Sequence, residues 1–275
     1  MEVELNKLVC ISELLQSRIR NKSIHVPKIF HGTLPTNVEE QVDFTNYESY
    51  STIFADSFGP FRPLQYFQSK YKVMFILKET YLEDVEEETN FSEGHNKANE
   101  YVDLEWTKQP KTYQVAAQMC FSLLNNREYD KKIDKKEDVL ECFWDNACII
   151  NVNKFPCIAS DDTSSNDNYI FHWAQLNESL IQEEIDLYQP DIIIGGHTLG
   201  HFVRCEKKGE GSLFKSHVSF LFPDEIKQMF AANLGKYNYA YMGNKLFINS
   251  KHPSAAGGDQ SKLLLEIRRF WNRNK

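Results

Sequence analysis

The stretch Lys72-Val73-Met74-Phe75-Ile76-Leu77 decides how the rest of the chain is interpreted. Its apolar residues are consecutive, and the run stops at the polar group Lys78-Glu79-Thr80-Tyr81. A run of this length is too short for a free-standing helix, and both sides of its extended chain are apolar. The pattern therefore predicts a strand that is buried on both faces of a sheet.

Three later runs share this character: Ala147–Val152, Asp191–Gly195 and Lys245–Asn249. Each is short and rich in β-branched or aromatic residues. Between and after them lie stretches with helical patterns, namely Thr112–Asn125, Lys136–Phe143, Tyr169–Tyr188, Thr198–Cys205, Pro223–Leu234 and Ser261–Trp271. Strands that alternate with helices at these lengths predict an α/β fold: a three-layer α/β/α sandwich around a mostly parallel four-stranded sheet.

The part of the chain before the first strand has a different character. Apolar residues in Val3–Ile19 follow helical spacing, whereas Ser23–Phe67 is irregular and rich in proline and aromatic residues. The aromatic side chains suit either core packing or the stacking of nucleobases, and we favour packing. We expect residues 1–70 to form a helical, aromatic-rich extension on an α/β domain spanning residues 71–275.

The composition, with 41% hydrophobic residues in 275, is sufficient for a full core and excludes intrinsic disorder. No apolar run approaches the roughly 20 residues that cross a bilayer, and the N-terminus lacks the pattern of a signal peptide. The six cysteines are scattered without a Cys-x-x-Cys pair. We expect a soluble, cytoplasmic protein with reduced thiols, no membrane contact, and neither a metal nor an organic cofactor.

The charge is unevenly distributed along the chain. A net charge of −8 argues against a surface that binds phosphate everywhere, because nonspecific nucleic-acid affinity comes from many Lys and Arg contacts. Acidic residues are concentrated in 81–105, whereas 262–275 is basic. A local basic face remains compatible with this composition. The sequence does not indicate the oligomeric state.

Polar residues follow each predicted strand where ligands of parallel sheets collect. They are Lys78, Glu79 and Tyr81 after the first; Asn151 and Asn153 at the second; His197 after the third; and Lys251, His252 and Ser254 after the fourth. A carboxylate, an amide and an imidazole together can supply the functional groups needed to hydrolyse the bond between a sugar and a nucleobase. The carboxylate stabilises a cationic sugar and orients water, the imidazole or an ammonium stabilises the departing base, and the amide reads the base edge.

Each of these residues also has a structural interpretation. Glu79 can pair with Lys78 or cap a helix, Asn151 can satisfy a loop backbone, and His252 can be a buried structural imidazole. Gly195-Gly196-His197-Thr198 also fits a tight turn with Thr198 as a helix N-cap. Hydrolysis by a serine nucleophile is disfavoured, because the sequence contains no Gly-x-Ser-x-Gly elbow.

The order of these motifs over about residues 72–269 resembles the uracil-DNA glycosylase superfamily. By this resemblance Glu79 is the water-orienting acid, Tyr81 walls the base pocket, and Asn151 or Asn153 reads the base. His252 stabilises the leaving base and Ser254 contacts the DNA backbone; Lys78 and Lys251 complete the expected substrate-binding set. The resemblance implies a glycosylase-like fold and a DNA substrate that is single-stranded or presents a flipped base.

The chain departs from the superfamily at two motifs. Leu77-Lys78-Glu79-Thr80-Tyr81 stands where members carry Gly-Gln-Asp-Pro-Tyr, and no Leu or Arg wedge follows His252-Pro253-Ser254. We therefore expect a divergent glycosylase that releases an extrahelical pyrimidine from DNA. The alternative is an inactive module of the same fold that binds a nucleotide, a modified nucleic acid or a protein.

Overall fold

The computed structural model of the chain describes residues 59–78, 81–82, 101–102, 104–152, 157–158, 167–203 and 238–253. The predicted helices at Val3–Ile19, Pro223–Leu234 and Ser261–Trp271 lie outside these residues. The division into an extension and an α/β domain therefore stays a prediction for most of residues 1–70. Within the described part, no helix is both long enough and apolar enough to cross a membrane.

Strands and helices alternate through the described part of the chain. The strands are β1 (Gly59–Pro60), β2 (Val73–Leu77), β3 (Tyr81–Leu82), β4 (Ala147–Asn151), β5 (Cys157–Ile158), β6 (Ile192–Gly196), β7 (Asn238–Met242) and β8 (Lys245–Ser250). The helices are α1 (Pro63–Gln68), α2 (Lys111–Leu124), α3 (Lys136–Asn146), α4 (Asp167–Tyr188) and α5 (Leu199–Val203). A 3₁₀ turn at Trp106–Lys108 precedes α2.

The main sheet has the strand order β1-β4-β2-β6-β8-β7. Its four central strands, β4, β2, β6 and β8, are the four predicted from apolar runs, and they pair with one another in parallel. The α/β class is confirmed. The expectation of four strands was incomplete, because the short β1 and the strand β7 add antiparallel edges and make a mixed six-stranded sheet.

One face of the sheet is covered by α2 and α3. Alternate residues of the central strands, such as Phe75 and Ile149, share a core cluster with side chains of both helices. Phe61, Phe143 and Trp144 pack at its centre, with 4.5 Å between the ring centroids of Phe61 and Trp144. Aromatic contacts of this kind contribute roughly 0.5–1.5 kcal/mol each beyond the area they bury.

Side chains of α1 and α4 lie on the other face. The Cys148 thiol on β4 donates a hydrogen bond to the Tyr66 hydroxyl at 3.4 Å. Burial raises the pKa of that thiol, and the nearby Glu184 of α4 raises it further. Asn177 of α4 donates from Nδ2 to the Val152 carbonyl at 2.8 Å. Helices therefore cover both faces, which explains why every residue of β2 is buried.

The chain from Gly59 to Gln68 belongs to this packed unit. Phe61 and Tyr66 are buried, which confirms core packing for these two members of the aromatic-rich segment. Arg62 ties the start of α1 to α3 through Asp145 at 2.9 Å and Glu141 at 2.5 Å. The strand β1 places Pro60 at the sheet edge, where a missing backbone N–H is tolerated.

Candidate functional site

The carboxyl ends of the four central strands meet at one edge of the sheet. Leu77 is the register partner of Asn151, Ile76 of Gly195, and Gly196 of Ser250. The polar residues that follow these strands are therefore neighbours, although up to 174 positions separate Lys78 from His252 in the sequence. This edge is the candidate site.

Leu77, Asn151, Gly196 and Ser250 lie on the same face of the sheet, because register partners of parallel strands project to the same side. The segment that follows β8 passes close to Gly196, because this residue has no side chain. A Cβ built on Gly196 would lie 3.1 Å from Cδ of Pro253 and 3.5 Å from Cα of His252. His252 therefore lies over β6 on the face that carries Asn151.

Asn151 and Gly196 are two strands apart, with Leu77 between them on β2. Two strand spacings correspond to roughly 10 Å.

His252 is mostly buried and lies near Lys78 and His197. Burial is the largest cause that lowers its pKa, and the nearby Lys78 and His197 lower it further, from 6.5 to about 4. The imidazole is consequently neutral at pH 7. A neutral imidazole offers one N–H donor and one acceptor nitrogen.

His197 turns the chain after β6. Its φ of 62° lies in the left-handed region, and its backbone N–H donates to the Ser250 carbonyl at 2.7 Å. This hydrogen bond joins the ends of β6 and β8. The predicted turn at Gly195-Gly196-His197 is confirmed, and the next residue, Thr198, immediately precedes α5.

Thr198 has a role that the sequence did not indicate. Its buried hydroxyl donates to the Ile76 carbonyl at 2.7 Å, across from β6 to β2. The hydrogen bond holds the end of β2 directly before Lys78. Thr198 therefore positions the site in addition to standing at a helix start.

Two buried asparagines near this edge were also missed. Asn177 supports the chain just after Asn151 through its bond to Val152, and Asn249 of β8 is the register partner of Gly195. Among the described residues, neither amide oxygen has a hydrogen-bond partner. Asn249 was detectable in principle as a polar residue ending an apolar run, whereas nothing in the helical pattern marks Asn177.

The predicted site residues divide into three groups. The first group lies at the carboxyl edge of the sheet and contains Lys78, Asn151, Lys251 and His252. Of these, Asn151 is buried, Lys78 and His252 are partly buried, and Lys251 is exposed. Tyr81 has its backbone in β3, paired with Cys157, and its side chain is not described. Glu79, Asn153 and Ser254 lie outside the described residues.

The described part of the site offers donors rather than metal ligands. In the described ranges, no group of three or more His, Cys, Asp or Glu side chains is arranged to hold a metal ion. The cationic and amide donors instead suit a ligand with acceptor oxygens or developing negative charge. No known protein family and no curated protein matches this sequence.

Proposed function

We propose that this protein is a divergent member of the uracil-DNA glycosylase superfamily that hydrolyses the N-glycosidic bond of an extrahelical pyrimidine in DNA. Its finer architecture would be the three-layer sandwich of that superfamily. The observation that carries the proposal is the position of a neutral His252 beside Lys78, on the same sheet face as Asn151.

Recognition of the base is assigned to Asn151. Its amide carries both a donor and an acceptor, so it can pair with adjacent N–H and C=O groups on a pyrimidine edge. Because Asn151 ends a buried strand, its backbone is fixed by pairing with Leu77. A fixed amide discriminates well between bases, since a wrong edge leaves a buried polar group unpaired.

Stabilisation of the leaving base is assigned to His252, with support from Lys78. As the glycosidic bond breaks, the base gathers negative charge on its ring oxygens. A neutral imidazole N–H donates to such an oxygen, and a nearby ammonium stabilises the charge electrostatically. The lowered pKa of His252 keeps this donor in one protonation state throughout the neutral range.

Water activation is assigned to Glu79, which follows Lys78 directly in the chain. A carboxylate at this position would orient the attacking water and stabilise positive charge on the sugar. Lys251 and Ser254, which flank His252, would contact the DNA backbone. Tyr81 would wall the pocket, and Asn153 is the alternative to Asn151 for base reading.

The test is release of free uracil from a single-stranded oligonucleotide. We expect Glu79→Gln and His252→Ala to lower the single-turnover rate by about 100-fold or more, with unchanged circular dichroism spectra. Lys78→Ala should weaken release, whereas Lys70→Ala is the matched control. Lys70 is exposed and precedes β2, about 26 Å from Lys78 along an extended chain.

Release that is unaffected by these substitutions, or no release from uracil, modified-pyrimidine or mismatched substrates, would refute the enzymatic proposal. A second candidate is then a binding module of the same fold, which the net charge of −8 favours. Leu77 also favours it, because this side chain is buried in the core where the superfamily carries a flexible glycine. Affinity that falls steeply with salt would indicate nucleic acid, and a flat response would indicate another partner.

A further inference from the structure

The chain between α2 and α3 forms a loop in which two aspartates hold the loop's own backbone. Asp134 is buried and pairs with Arg127. Its Oδ2 accepts the backbone N–H of Asp130 at 2.6 Å, and Oδ1 of Asp130 accepts the backbone N–H of Lys132 at 2.8 Å. These two carboxylates are therefore occupied within the loop. We call residues 125–136 the lysine loop.

Aromatic contacts fix the lysine loop against the helical layer. The Arg127 guanidinium lies 4.9 Å from the centroid of the Phe121 ring. Tyr129 stacks on Trp106, with 6.2 Å between the ring centroids and 11° between the ring planes. Because these contacts set the conformation of the loop before any partner binds, little conformational entropy is lost on binding.

The outer surface of the lysine loop is cationic and has an apolar centre. Lys131, Lys132, Lys135 and Lys136 are exposed, and within the described ranges none of them forms an ion pair. Ile133 lies between them in the sequence and is 70% exposed; no other large hydrophobic side chain of the described residues is as open to solvent. A chain with a net charge of −8 thus concentrates four cations on either side of one exposed isoleucine.

We propose that the lysine loop binds single-stranded DNA, with its lysines at phosphates and Ile133 against a base. Each lysine that meets a phosphate releases condensed counterions, which is the main source of nonspecific affinity for nucleic acid. Single strands also expose the apolar faces of their bases, and isoleucine is among the apolar side chains that DNA-binding proteins insert beside bases. The choice of DNA as the partner rests on the proposed function. The lysine loop contains none of the residues assigned to catalysis, so its role is affinity.

The first experiment measures the anisotropy of a fluorescein-labelled oligothymidine as the full chain is added at several salt concentrations. Oligothymidine contains no uracil, so the measurement reports binding alone. The triple variant Lys131→Gln/Lys132→Gln/Lys135→Gln should bind more weakly at low salt. The slope of log affinity against log salt should become less steep by about 0.7 for each lost phosphate contact, and by about 2 for three.

The matched control is the triple variant Lys70→Gln/Lys108→Gln/Lys111→Gln. These lysines are exposed and lie outside the lysine loop, so this variant has the same net charge as the loop variant. It should keep the slope of the unmodified chain. An equal loss of slope in both variants would show that only net charge matters and would overturn the proposal. A failure of the unmodified chain to bind oligothymidine would overturn it as well.

Ile133 is tested separately from the lysines. Ile133→Ser should lower the affinity by about five- to tenfold, because less apolar surface is buried against the base. The slope with salt should not change, since no charge is removed. Ile133→Leu should retain the affinity. Unchanged affinity in Ile133→Ser would overturn the assigned contact with a base.

Lysine labelling of the unmodified chain gives a readout that does not depend on how the variants fold. Oligothymidine should protect Lys131, Lys132, Lys135 and Lys136 from acetylation by an N-hydroxysuccinimide ester, and it should leave Lys108 reactive. Protection of Lys108 alone would contradict the proposal. Vesicles of phosphatidylserine that bind through the lysine loop when oligothymidine does not would assign this surface to a membrane and overturn the proposal.

The outcome for the lysine loop can be separated from the outcome for the proposed function. Loop-dependent binding of oligothymidine, without release of uracil from any oligonucleotide, would refute the glycosylase and leave the binding surface standing. Release of uracil by a chain whose affinity is unchanged in the loop variant would do the reverse.

Discussion

Leu77 and Gly196 lie against each other at the carboxyl ends of neighbouring strands. A Cβ on Gly196 would approach Cδ2 of Leu77 to 3.0 Å, which is closer than ordinary van der Waals contact. The absent side chain of Gly196 thus makes room on one side for Leu77 and on the other for His252 and Pro253. A glycine on β6 compensates for a bulky residue on β2 and fixes the path of the segment that carries His252.

The first prediction concerns this close approach. Gly196→Ala should lower the free energy of unfolding by about 1–2 kcal/mol, because neighbours must shift to accept the methyl group. Leu77→Ala alone should cost about 2–5 kcal/mol through the cavity it leaves. The double variant should cost less than the sum, since the smaller residue at 77 frees space for the new methyl. Urea unfolding measures this coupling, and strict additivity would show that the two side chains do not compete for space.

The second prediction concerns the protonation of His252. Its pKa is lowered to about 4 from 6.5, so the unfolded chain binds a proton that the folded chain does not in this pH interval. Stability should therefore fall as the pH decreases from about 6.5 towards 4, by at most about 3 kcal/mol, and this contribution should be constant above pH 6.5. An NMR titration of the imidazole measures the folded value. A midpoint near 6.5 would mean that the ring is solvated and far from Lys78.

The third prediction isolates the contribution of Lys78. Lys78→Ala should raise the pKa of His252, because a positive charge that opposes protonation is removed. The value should stay below 6.5, since burial is the larger cause of the shift. Lys70→Ala, at the opposite edge of the sheet, should leave the titration unchanged. If both variants gave the same titration curve, Lys78 would have no influence on the pKa of His252.

The sheet itself was largely predictable from local pattern. Strands buried on both faces need continuous apolar runs, and the runs at β2, β4, β6 and β8 are unbroken by charge. The strand β7 was missed because Asn238-Tyr239-Ala240-Tyr241-Met242 mixes polar and aromatic residues. The turn Gly243-Asn244, with a φ of 59° at the glycine, was the available hairpin signal. No pattern marks the Gly59–Pro60 edge strand, whose pairing depends on β4.

The site was only partly predictable, for a different reason. The sequence identifies Lys78, Asn151 and His252 as polar residues after strands, but their spacing depends on the strand order β4-β2-β6-β8. That order places two strands between Asn151 and Ser250 and puts His197 beside His252. The low pKa of His252 arises from burial and from the neighbouring Lys78 and His197, which no local pattern encodes. Thr198 was assigned to a helix start because its partner, the Ile76 carbonyl, is 122 positions away.

The last prediction concerns that hydrogen bond. Thr198→Val keeps the shape of the side chain but removes the donor to the Ile76 carbonyl, in a position that is fully buried. The cost should be about 1–2 kcal/mol in the free energy of unfolding, because a buried carbonyl loses a partner. Thr107→Val, at an exposed position, is the matched control and should stay within about 0.5 kcal/mol. Since the bond ties β6 to the end of β2 directly before Lys78, the variant should also change the NMR titration of His252. An unchanged titration with lost stability would limit Thr198 to a structural role.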